Sequence, residues 1–348
     1  MRYLAHIPVA FVLLVWPMAV MFSPMAFAAP GSTTNRSALL PIAIIFAYPM
    51  VLGAAYYWLD WSFFALSPRV FFTLSVALPI SGFVLFGYPR IVLNVFRGVD
   101  SVGYFKNASA VYYNGSELDG ADAGSFIVLD GYGYARDKAH VYYDGKPVAA
   151  ADPSSFGAID TDAGSSVYWR DNAHVYCMGR PIGEADPPSF VQLGATRFAR
   201  DRRRAYYHGQ AIEGADSGSF RVLNPSFAAD KARIYFLGQA ILPGAEASSF
   251  ELFETDDYGR DATRIYGLPN ALFESAHEIV GADRATFTPL SRTYAKDAHH
   301  VYNAERHGAV VIANADAASF EVTEWDATTQ SEARDKHHRY LAGKRVER

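Results

Sequence analysis

A short unit recurs through more than two thirds of the chain, and this recurrence limits the fold more than any other feature of the sequence. One copy reads "YARDKAHVYYDGKPVAAADPSSF". It contains an aspartate (Asp137), a tyrosine five residues later (Tyr142), a glycine turn (Gly145), and then an acid and a phenylalanine (Asp152 and Phe156). The copies follow one another at about 30 residues, a spacing typical of repeat proteins. One unit of this size cannot bury a core alone, so the sequence predicts that the copies stack.

Eight copies can be aligned on their tyrosine, which never changes: Tyr112, Tyr142, Tyr176, Tyr206, Tyr235, Tyr266, Tyr302 and Tyr340. The leading aspartate is present in seven of them: Asp137, Asp171, Asp201, Asp230, Asp261, Asp297 and Asp335. The first copy has Asn107 at this position. The residue before the tyrosine is mostly aliphatic. Because side chains alternate along a strand, we expect this strand to be covered on both faces.

Two local signals predict the structure of each copy. "HVYYDGKPV" is typical of a tight β-hairpin, because Asp-Gly accepts the positive φ angles that the turn requires. In "ADPSSF", Asp152 is predicted to cap a single helical turn and Ser155 to reach back to it, as in a capping box. Phe156 is then expected to anchor the turn in the core and to open a short strand.

These signals predict an all-β tandem-repeat body behind an N-terminal helical membrane region. We expect a β-solenoid-like array of stacked three-stranded units of about 30 residues. Seven units can be counted from Phe126 to Val346, so a seven-bladed β-propeller-like closure is the alternative. About 30 residues is short for a four-stranded propeller blade, which favours the array.

The repeated acids and histidines admit chemical roles as alternatives. The row of Asp137 and the row of Asp152 lie 15 residues apart, whereas calcium loops crowd their oxygen ligands into one short segment. Turn and cap roles are therefore favoured over metal ligands or paired catalytic carboxylates. The pairs His299–His300 and His337–His338 are interpreted as solvated side chains, with a metal-binding histidine row as the alternative.

Nothing in residues 97–348 matches a catalytic or nucleotide-binding signature. Cys177, the single cysteine, replaces an aromatic residue of the repeat and is interpreted as a small buried side chain, with a reactive thiol as the alternative. We therefore predict no catalysis, no metal and no cofactor.

The first 96 residues form an apolar segment with few charges. Apolar stretches cover residues 7–28, 38–59 and 70–88, each about the 20 residues that a membrane-spanning helix needs. We predict transmembrane helices at 38–59 and 70–88. Residues 1–28 are interpreted as either a signal peptide or a first transmembrane helix. The repeat domain is then expected over residues 100–348.

Both interpretations of residues 1–28 place the repeat body outside the cytoplasm, whereas Arg90 and Arg97 after the last span favour the cytoplasm. We give the N-terminal signal more weight. Residues 97–348 carry 27 basic and 35 acidic side chains. This acidic balance argues against a nucleic-acid partner, because binding phosphates requires clustered Lys and Arg.

The segment from Asp137 to Gly145, followed by "ADPSSF", resembles the DKNYY repeat family, named for its Asp-Lys-Asn-Tyr-Tyr motif. The resemblance covers about residues 100–348. The asparagine of the motif is replaced here, by Ala139, Ala173, Arg203 or Ala298. The family occurs in bacterial, often cell-envelope, proteins without an established activity. The resemblance implies a bacterial inner-membrane protein with its repeat domain in the periplasm or outside, and transfers no catalytic residue.

Two copies depart from the regular spacing. The distance from the leading Asp (Asn107 in the first copy) to Phe is 19 or 20 residues in the first five copies, but 26 from Asp261 to Phe287 and 23 from Asp297 to Phe320. Insertions at one position of a repeat project from one side of an array, where binding residues are common. The predicted binding residues are Phe273, Glu274, His277, Glu278, Arg306 and His307.

Together these observations predict a membrane-anchored, extracytoplasmic binding or scaffold module. Its partners are expected to be the lipid bilayer, through the N-terminal helices, and an envelope protein or glycan. A sensor or accessory subunit of a membrane complex is the alternative, and an envelope enzyme that uses the insertion loops is a further one. The ligand, the cleavage of residues 1–28 and the oligomeric state stay open.

Overall fold

The computed structural model describes residues 6–26, 31–129, 133–159, 166–269, 275–305, 308–326 and 331–346. The chain forms two compact units. One comprises Met1–Phe156 with Met178–Arg180, and the other comprises Gly157–Cys177 with Pro181–Arg348.

The first unit begins with four helices among its described residues: α1 (Ile7–Ala26), α2 (Leu39–Trp58), α3 (Pro68–Leu85) and α4 (Tyr88–Arg97). A 3-10 turn, Arg36–Ala38, leads into α2. By length and composition, the segments Arg36–Trp58 and Pro68–Leu85 could each cross a membrane, and α1 contributes a shorter apolar stretch, Ile7–Ser23. Two of the three predicted apolar segments are therefore helices of spanning length.

The helices pack through small residues and an aromatic cluster. Gly53 of α2 lies against Ser75 of α3 so closely that an added Cβ would overlap the serine side chain. Val20, Phe46 and Tyr88 share a buried cluster, which draws α1, α2 and α4 together. Helices can approach this closely in an apolar environment because small residues let their backbones meet.

Helix α4 differs from the prediction, in which the third apolar segment continues to residue 88. Instead α3 ends at Leu85, and Gly87 adopts a left-handed φ of 72° that breaks the helix. Tyr88 then begins α4 and is buried. Since Gly has no Cβ, it takes this conformation at little cost. The chain therefore turns before it reaches the repeats.

The described part of the body consists of eight small antiparallel sheets in tandem, the first with three strands and the others with four. Sheets 1 to 4 comprise β1 (Tyr104–Lys106), β2 (Val111–Tyr113) and β3 (Ser116–Glu117); β4 (Ile127–Val128), β5 (Tyr134–Arg136), β6 (Val141–Tyr143) and β7 (Lys146–Pro147); β8 (Gly157–Ala158), β9 (Tyr168–Arg170), β10 (Val175–Cys177) and β11 (Arg180–Pro181); β12 (Val191–Gln192), β13 (Phe198–Arg200), β14 (Ala205–Tyr207) and β15 (Gln210–Ala211).

Sheets 5 to 8 comprise β16 (Arg221–Val222), β17 (Phe227–Ala229), β18 (Ile234–Phe236) and β19 (Gln239–Ile241); β20 (Glu251–Leu252), β21 (Tyr258–Arg260), β22 (Ile265–Gly267) and β23 (His277–Glu278); β24 (Thr288–Pro289), β25 (Tyr294–Lys296), β26 (Val301–Glu305) and β27 (Gly308–Val311); β28 (Glu321–Asp326), β29 (Ser331–Arg334), β30 (Arg339–Leu341) and β31 (Lys344–Arg345). Short 3-10 turns precede two of the phenylalanines, at Pro187–Ser189 and Ala247–Ser249.

The predicted all-β tandem-repeat body is confirmed, with one difference in seven of the eight described sheets. The segment after the phenylalanine adds an outer strand, so that most sheets have four strands rather than three. In sheet 2, for example, Ile127 of β4 pairs with Arg136 of β5. The described residues form eight sheets and no closed barrel, which favours the array over the seven-bladed alternative.

The predicted hairpin turn is also confirmed. Asp144 and Gly145 have φ angles of 48° and 72°, and Tyr143 pairs with Lys146 across the turn. Two consecutive positive φ angles define the type I′ turn, whose twist matches that of the flanking strands. The strand before it is covered on both faces, since Val141 and Tyr142 are both buried.

Candidate functional site

The aspartate that opens each repeat is a buried hydrogen-bond acceptor. Asp137 Oδ1 accepts from the N–H groups of Ala139 and His140, both at 2.7 Å. Its Oδ2 accepts from Tyr142 Oη and from the N–H of Asp122, both at 2.9 Å. The first three donors belong to the same repeat, whereas Asp122 belongs to the turn before it. One carboxylate therefore joins two consecutive repeats.

The same four donors recur around six of the aspartates: Asp137, Asp201, Asp230, Asp261, Asp297 and Asp335. Asp171 accepts from the N–H groups of Ala173 and His174 and from Tyr176 Oη. A buried carboxylate is stable only when its oxygens are hydrogen-bonded. These acids are therefore structural.

The ionisation of Asp137 and Tyr142 reflects this arrangement. Burial opposes the negative charge of Asp137, but the hydrogen bonds donated by Asp122, Ala139, His140 and Tyr142 outweigh it and hold the pKa of Asp137 below its usual value. Burial, together with the hydrogen bond to the carboxylate, raises the pKa of Tyr142. The aspartate is thus charged and the tyrosine neutral at neutral pH.

The predicted capping box is wrong in one respect. Ser155 Oγ donates to Asp152 Oδ2 at 2.6 Å, so the serine reaches the acid side chain rather than its backbone N–H. In the preceding turn, the equivalent backbone N–H of Asp122 is bound by Asp137 instead. The physical reason is that the next repeat places a full negative charge beside this N–H, and a carboxylate is a stronger acceptor than a hydroxyl.

In the regular repeats after the first, the hairpin glycine packs on the repeat before it. A Cβ added to Gly179 would lie 2.7 Å from the side chain of Tyr143, and one added to Gly238 would lie 2.7 Å from Tyr207. The N–H of Gly179 also donates to Tyr134 Oη at 2.7 Å. The second tyrosine of the motif is therefore a stacking surface for the next hairpin.

The phenylalanine that follows the turn fills the core between two repeats. The ring of Phe126 lies 5.5 Å from that of Tyr104 in sheet 1 and 5.8 Å from that of Tyr142 in sheet 2. Phe156 is likewise buried, as predicted. In the second unit, Phe190 packs in the same way between Tyr168 and Tyr206.

The two insertions meet on one side of the second unit. His277 and Glu278 form β23, the outer strand of sheet 6. A Cβ on Gly308, at the start of β27 in sheet 7, would lie 3.6 Å from His277 Cδ2. Glu278 forms an ion pair with Arg264, with a Nη1–Oε2 distance of 3.5 Å. The predicted residues Phe273, Glu274, Arg306 and His307 lie outside the described residues. We call the described part, residues 275–280 and 308–311, the insertion surface.

The histidine of the insertion surface is half-buried. Burial lowers the pKa of His277, against a hydrogen bond between Nδ1 and the Ser275 carbonyl that raises it. The imidazole is therefore neutral at neutral pH. Beside it, the Glu278–Arg264 pair offers both charges to solvent.

Four further histidines lie beside the buried aspartates. In His140, His174, His300 and His338, Nδ1 is 3.8 to 3.9 Å from Oδ1 of the aspartate three residues earlier. They are at least partly exposed, as predicted. Within the described ranges, no three His, Cys, Asp or Glu side chains lie close enough together to hold a metal ion.

Cys177 is buried at the position of the second aromatic residue, and burial raises the pKa of its thiol to about 11. A thiol with a raised pKa is a poor nucleophile at neutral pH. The structural interpretation of Cys177 is therefore favoured over a reactive thiol.

These features define a class of protein: a tandem β-repeat protein in which a buried aspartate, a tyrosine hydroxyl and a glycine hairpin join consecutive units. The model of the DKNYY family matches three overlapping segments, residues 90–146, 134–266 and 198–344. The chain belongs to the DKNYY family. No curated protein and no solved structure matches it.

The geometry explains most of the family motif. The aspartate is the acceptor that joins two repeats, and the first tyrosine is one of its donors. The lysine forms an exposed ion pair with the acid of the preceding turn, as between Lys138 Nζ and Asp122 Oδ1 at 3.3 Å. The second tyrosine supports the next hairpin, as Tyr143 supports Gly179. Every motif residue with a defined contact serves the stacking of repeats.

Proposed function

We propose that the chain is a membrane-anchored repeat protein whose body lies outside the cytoplasm and serves as a binding scaffold, without catalysis. The observation that carries the anchoring is the outer surface of α2 and α3. On α2, Leu40, Ile44 and Val51 are 65%, 57% and 64% exposed. A surface of large apolar side chains is unstable in water but is suited to lipid.

The packing of α1 supports its retention as a first span. Trp16 Nε1 donates to the carbonyl of Ile45 in α2 at 2.9 Å, and Val20 is almost completely buried against α2 and α4. Ser23 Oγ hydrogen-bonds Tyr88 Oη. Removal of α1 as a signal peptide would expose these groups. We therefore favour three crossings over two.

The hydrogen bonds between the α1–α2 loop and the start of the body indicate that this loop and the repeats lie on the same side of the membrane. Gly31 N–H donates to Asp100 Oδ2 at 2.6 Å, and Ser101 N–H donates to Thr33 Oγ1 at 2.8 Å. If α1 begins in the cytoplasm, this side is outside. Arg90, which argued for the cytoplasm by its charge, donates to the Asn114 carbonyl in the first hairpin. Its position thus has a structural reason.

Cysteine labelling in spheroplasts tests the anchoring and the orientation. Because the single native cysteine is buried, the unchanged chain gives a low background. Ser116→Cys in β3 should react with a membrane-impermeant maleimide, whereas Ser62→Cys between α2 and α3 should react only after permeabilisation. The reverse pattern would place the body in the cytoplasm, and labelling of both in intact spheroplasts would refute membrane crossing.

The binding role rests on the insertion surface, because the aspartate, tyrosine, glycine and phenylalanine of the repeat are occupied by contacts between repeats. Purified envelope glycan and detergent-solubilised envelope protein are the fractions to test. Retention of either by the full chain, and its loss when residues 270–274 are replaced by an Asp-Gly turn, is the expected result. Retention of neither fraction by the unchanged chain would contradict the binding role.

A sensor or accessory role is the second candidate, and the junction with α4 favours it. A Cβ on Gly115 of the first hairpin would overlap the side chain of Asn94, so α4 occupies the place that a preceding repeat takes elsewhere. Asn94 Nδ2 also donates to Ser101 Oγ at 3.0 Å. Movement of α4 would therefore reach the repeats directly. Replacement of residues 1–87 by an unrelated anchor should abolish a sensor function and leave a tethered scaffold active.

A further inference from the structure

The first sheet has an open edge where the other described sheets have an outer strand. Sheet 2 begins with β4, which pairs with β5 through Ile127↔Arg136 and Val128↔Ala135. Sheets 3 to 8 begin with an equivalent strand. Sheet 1 begins with β1, which pairs only with β2 among the described strands. An unpaired strand edge exposes backbone donors and acceptors that another chain can bind.

The register shows which backbone groups face this edge. Asn107 N–H donates to Ala110 O, and Asn114 N–H donates to Gly103 O. Since backbone groups of a strand alternate in direction, the N–H and C=O of Phe105 face β2, and those of Tyr104 and Lys106 face outward. In sheet 2, the residue equivalent to Tyr104 is Tyr134, whose carbonyl accepts from Leu129 N–H at 2.9 Å.

An apolar groove of about 350 Å³ runs along the open edge, lined by Tyr104, Phe105, Lys106, Phe126, Ile127 and Val128. Ile127 and Val128 are 46% and 60% exposed. Their equivalents in sheet 3 are Gly157 and Ala158. The groove therefore combines backbone hydrogen-bonding groups with large exposed apolar side chains on the first two sheets.

Phe105 replaces the side chain that an outer strand would contribute to the core of sheet 1, but it does not replace the backbone of that strand. The other sheets have Ala, Gly or Trp at this position: Ala135, Trp169, Ala199, Ala228, Gly259, Ala295 and Ala333. The Phe105 ring lies 6.2 Å from that of Tyr112, comparable to the 5.8 Å between Phe126 and Tyr142 in the next repeat. The ring that a preceding turn would supply is thus supplied from β1 itself, and the backbone edge is left open.

We propose that the edge of β1 binds an extended segment of a partner polypeptide as a fourth strand of sheet 1. The array shows what such an edge accepts: in sheets 2 to 8 it takes a short strand led by phenylalanine. The described strands of this kind all pair within their own sheets, so a second copy has no phenylalanine-led strand to offer. The partner segment is expected to be extended, with a small residue over Phe105 and an apolar residue against Ile127 and Val128.

This site differs from the insertion surface and depends neither on that surface nor on the orientation of the membrane helices. Strand addition gains its affinity from main-chain hydrogen bonds and its specificity from pockets for alternate side chains. The first requirement is met by Tyr104 and Lys106, the second by Phe105, Ile127 and Val128.

The test uses the full chain in detergent micelles and a fluorescent peptide with the sequence of residues 121–130, ADAGSFIVLD. Lys106→Pro removes the outward N–H, and proline is tolerated where a strand N–H faces solvent. Lys106→Ala is the matched control, because it also loses the Nζ hydrogen bond to Phe126 O but keeps the N–H. Fluorescence anisotropy should show at least about tenfold weaker binding for the proline variant than for the alanine variant.

Phe105→Ala gives a second test that does not require the proline variant to fold. It introduces the small residue that six of the other seven sheets have at this position, so the phenylalanine of the peptide can enter the core. We expect binding to tighten about tenfold, and a peptide with this phenylalanine changed to alanine should show no gain. Equal binding by the two Lys106 variants, or no binding by either the unchanged chain or Phe105→Ala, would overturn the proposal. Self-association abolished by Lys106→Pro would instead identify a second copy as the occupant and also overturn it.

Discussion

Tyr142 Oη donates a hydrogen bond of 2.9 Å to Oδ2 of Asp137, which also accepts the backbone N–H of Asp122 from the preceding turn. The tyrosine hydroxyl and the neighbouring repeat thus share one carboxylate oxygen. This relationship repeats along the array and makes the stability of each repeat depend on its neighbour. It also leads to predictions that can be checked on the purified chain.

The buried hydroxyl of Tyr142 should stabilise the fold more than the surface hydroxyl of Tyr113 does. Tyr142→Phe removes a hydrogen bond to a buried charge, which is worth about 1.5–3 kcal/mol. Tyr142→Ala also removes a buried ring and should cost about 3–5 kcal/mol. The control is Tyr113→Phe, because the Tyr113 hydroxyl bonds Asp144 at the surface. Equal melting temperatures for Tyr142→Phe and Tyr113→Phe would contradict the assignment.

The charge of the buried aspartate should be essential. Asp230 accepts from Asp216 N–H, Ala232 N–H, Arg233 N–H and Tyr235 Oη. Asp230→Asn keeps the size of the side chain but turns one acceptor into a donor that faces other donors. We expect a loss of about 2–3 kcal/mol in the free energy of unfolding.

A surface aspartate provides the comparison for Asp230→Asn. Asp119 is exposed, and Asp119→Asn should leave urea unfolding unchanged. If both variants unfold at the same urea concentration, the buried carboxylate does not hold the repeats together.

The hairpin glycine should be required for stacking as well as for its φ angle. Gly238 has a φ of 82°, and an added Cβ would lie 2.7 Å from Tyr207. Gly244 has a φ of 93° with no atom within 4 Å. Both alanine variants carry the cost of a positive φ, about 1 kcal/mol, but only Gly238→Ala also meets the tyrosine. Its melting temperature should therefore fall further.

A double variant isolates the stacking contribution. In Tyr207→Ala/Gly238→Ala, the added methyl group has room, so the two losses should not add. Strictly additive losses would show that the hairpin does not pack on the preceding tyrosine.

The stability of the body should fall at both ends of the pH range. The pKa values of Asp137, Asp201, Asp230, Asp261, Asp297 and Asp335 are held below the usual 3.8 by hydrogen bonds that outweigh burial. A lowered carboxyl pKa contributes stability above the unfolded value, and this contribution is lost as the pH falls below about 4.

The buried tyrosines should cause the loss of stability at high pH. Burial raises the pKa of Tyr104 and of Tyr294 to about 12, from 10.0, and it raises that of Tyr142 as well. A raised tyrosine pKa contributes stability that is present below the unfolded value and is lost as the pH rises above about 10. The melting temperature should be nearly constant between about pH 4 and pH 10 and should fall on either side of this range. As the pH falls, loss of stability that begins well above a pH of about 4 would contradict its origin in the aspartates.

Local features of the fold could be predicted from the sequence because their causes are local. The positive φ angles of Asp144 and Gly145 follow from two adjacent residues, and the burial of Val141 and Tyr142 follows from their positions in every copy. The meeting of the two insertions was anticipated because they occupy the same position in consecutive repeats, and His277 does lie beside Gly308.

Features that depend on packing could not be predicted in the same way. Asp122 and Asp137 are 15 residues apart, and nothing in either segment indicates that one binds the backbone of the other. The break at Gly87 was hidden because apolar residues continue on both sides of it. The signal for the open edge was present in "YFKN", where Phe105 replaces a small residue and Asn107 replaces the aspartate.

The bond between Asp137 and the N–H of Asp122 gives the array unequal ends. An array shortened from its C-terminal side leaves a turn N–H that water can reach. An array shortened from its N-terminal side leaves a buried carboxylate without one of its donors, which costs far more. The first repeat avoids that cost with the uncharged Asn107, whose Oδ1 bonds only within its own turn, to the N–H groups of Ser109 and Ala110 and to the Ser109 hydroxyl. Repeats can therefore be removed from the C-terminal end of the array at little cost in stability, whereas removal from the N-terminal end is costly.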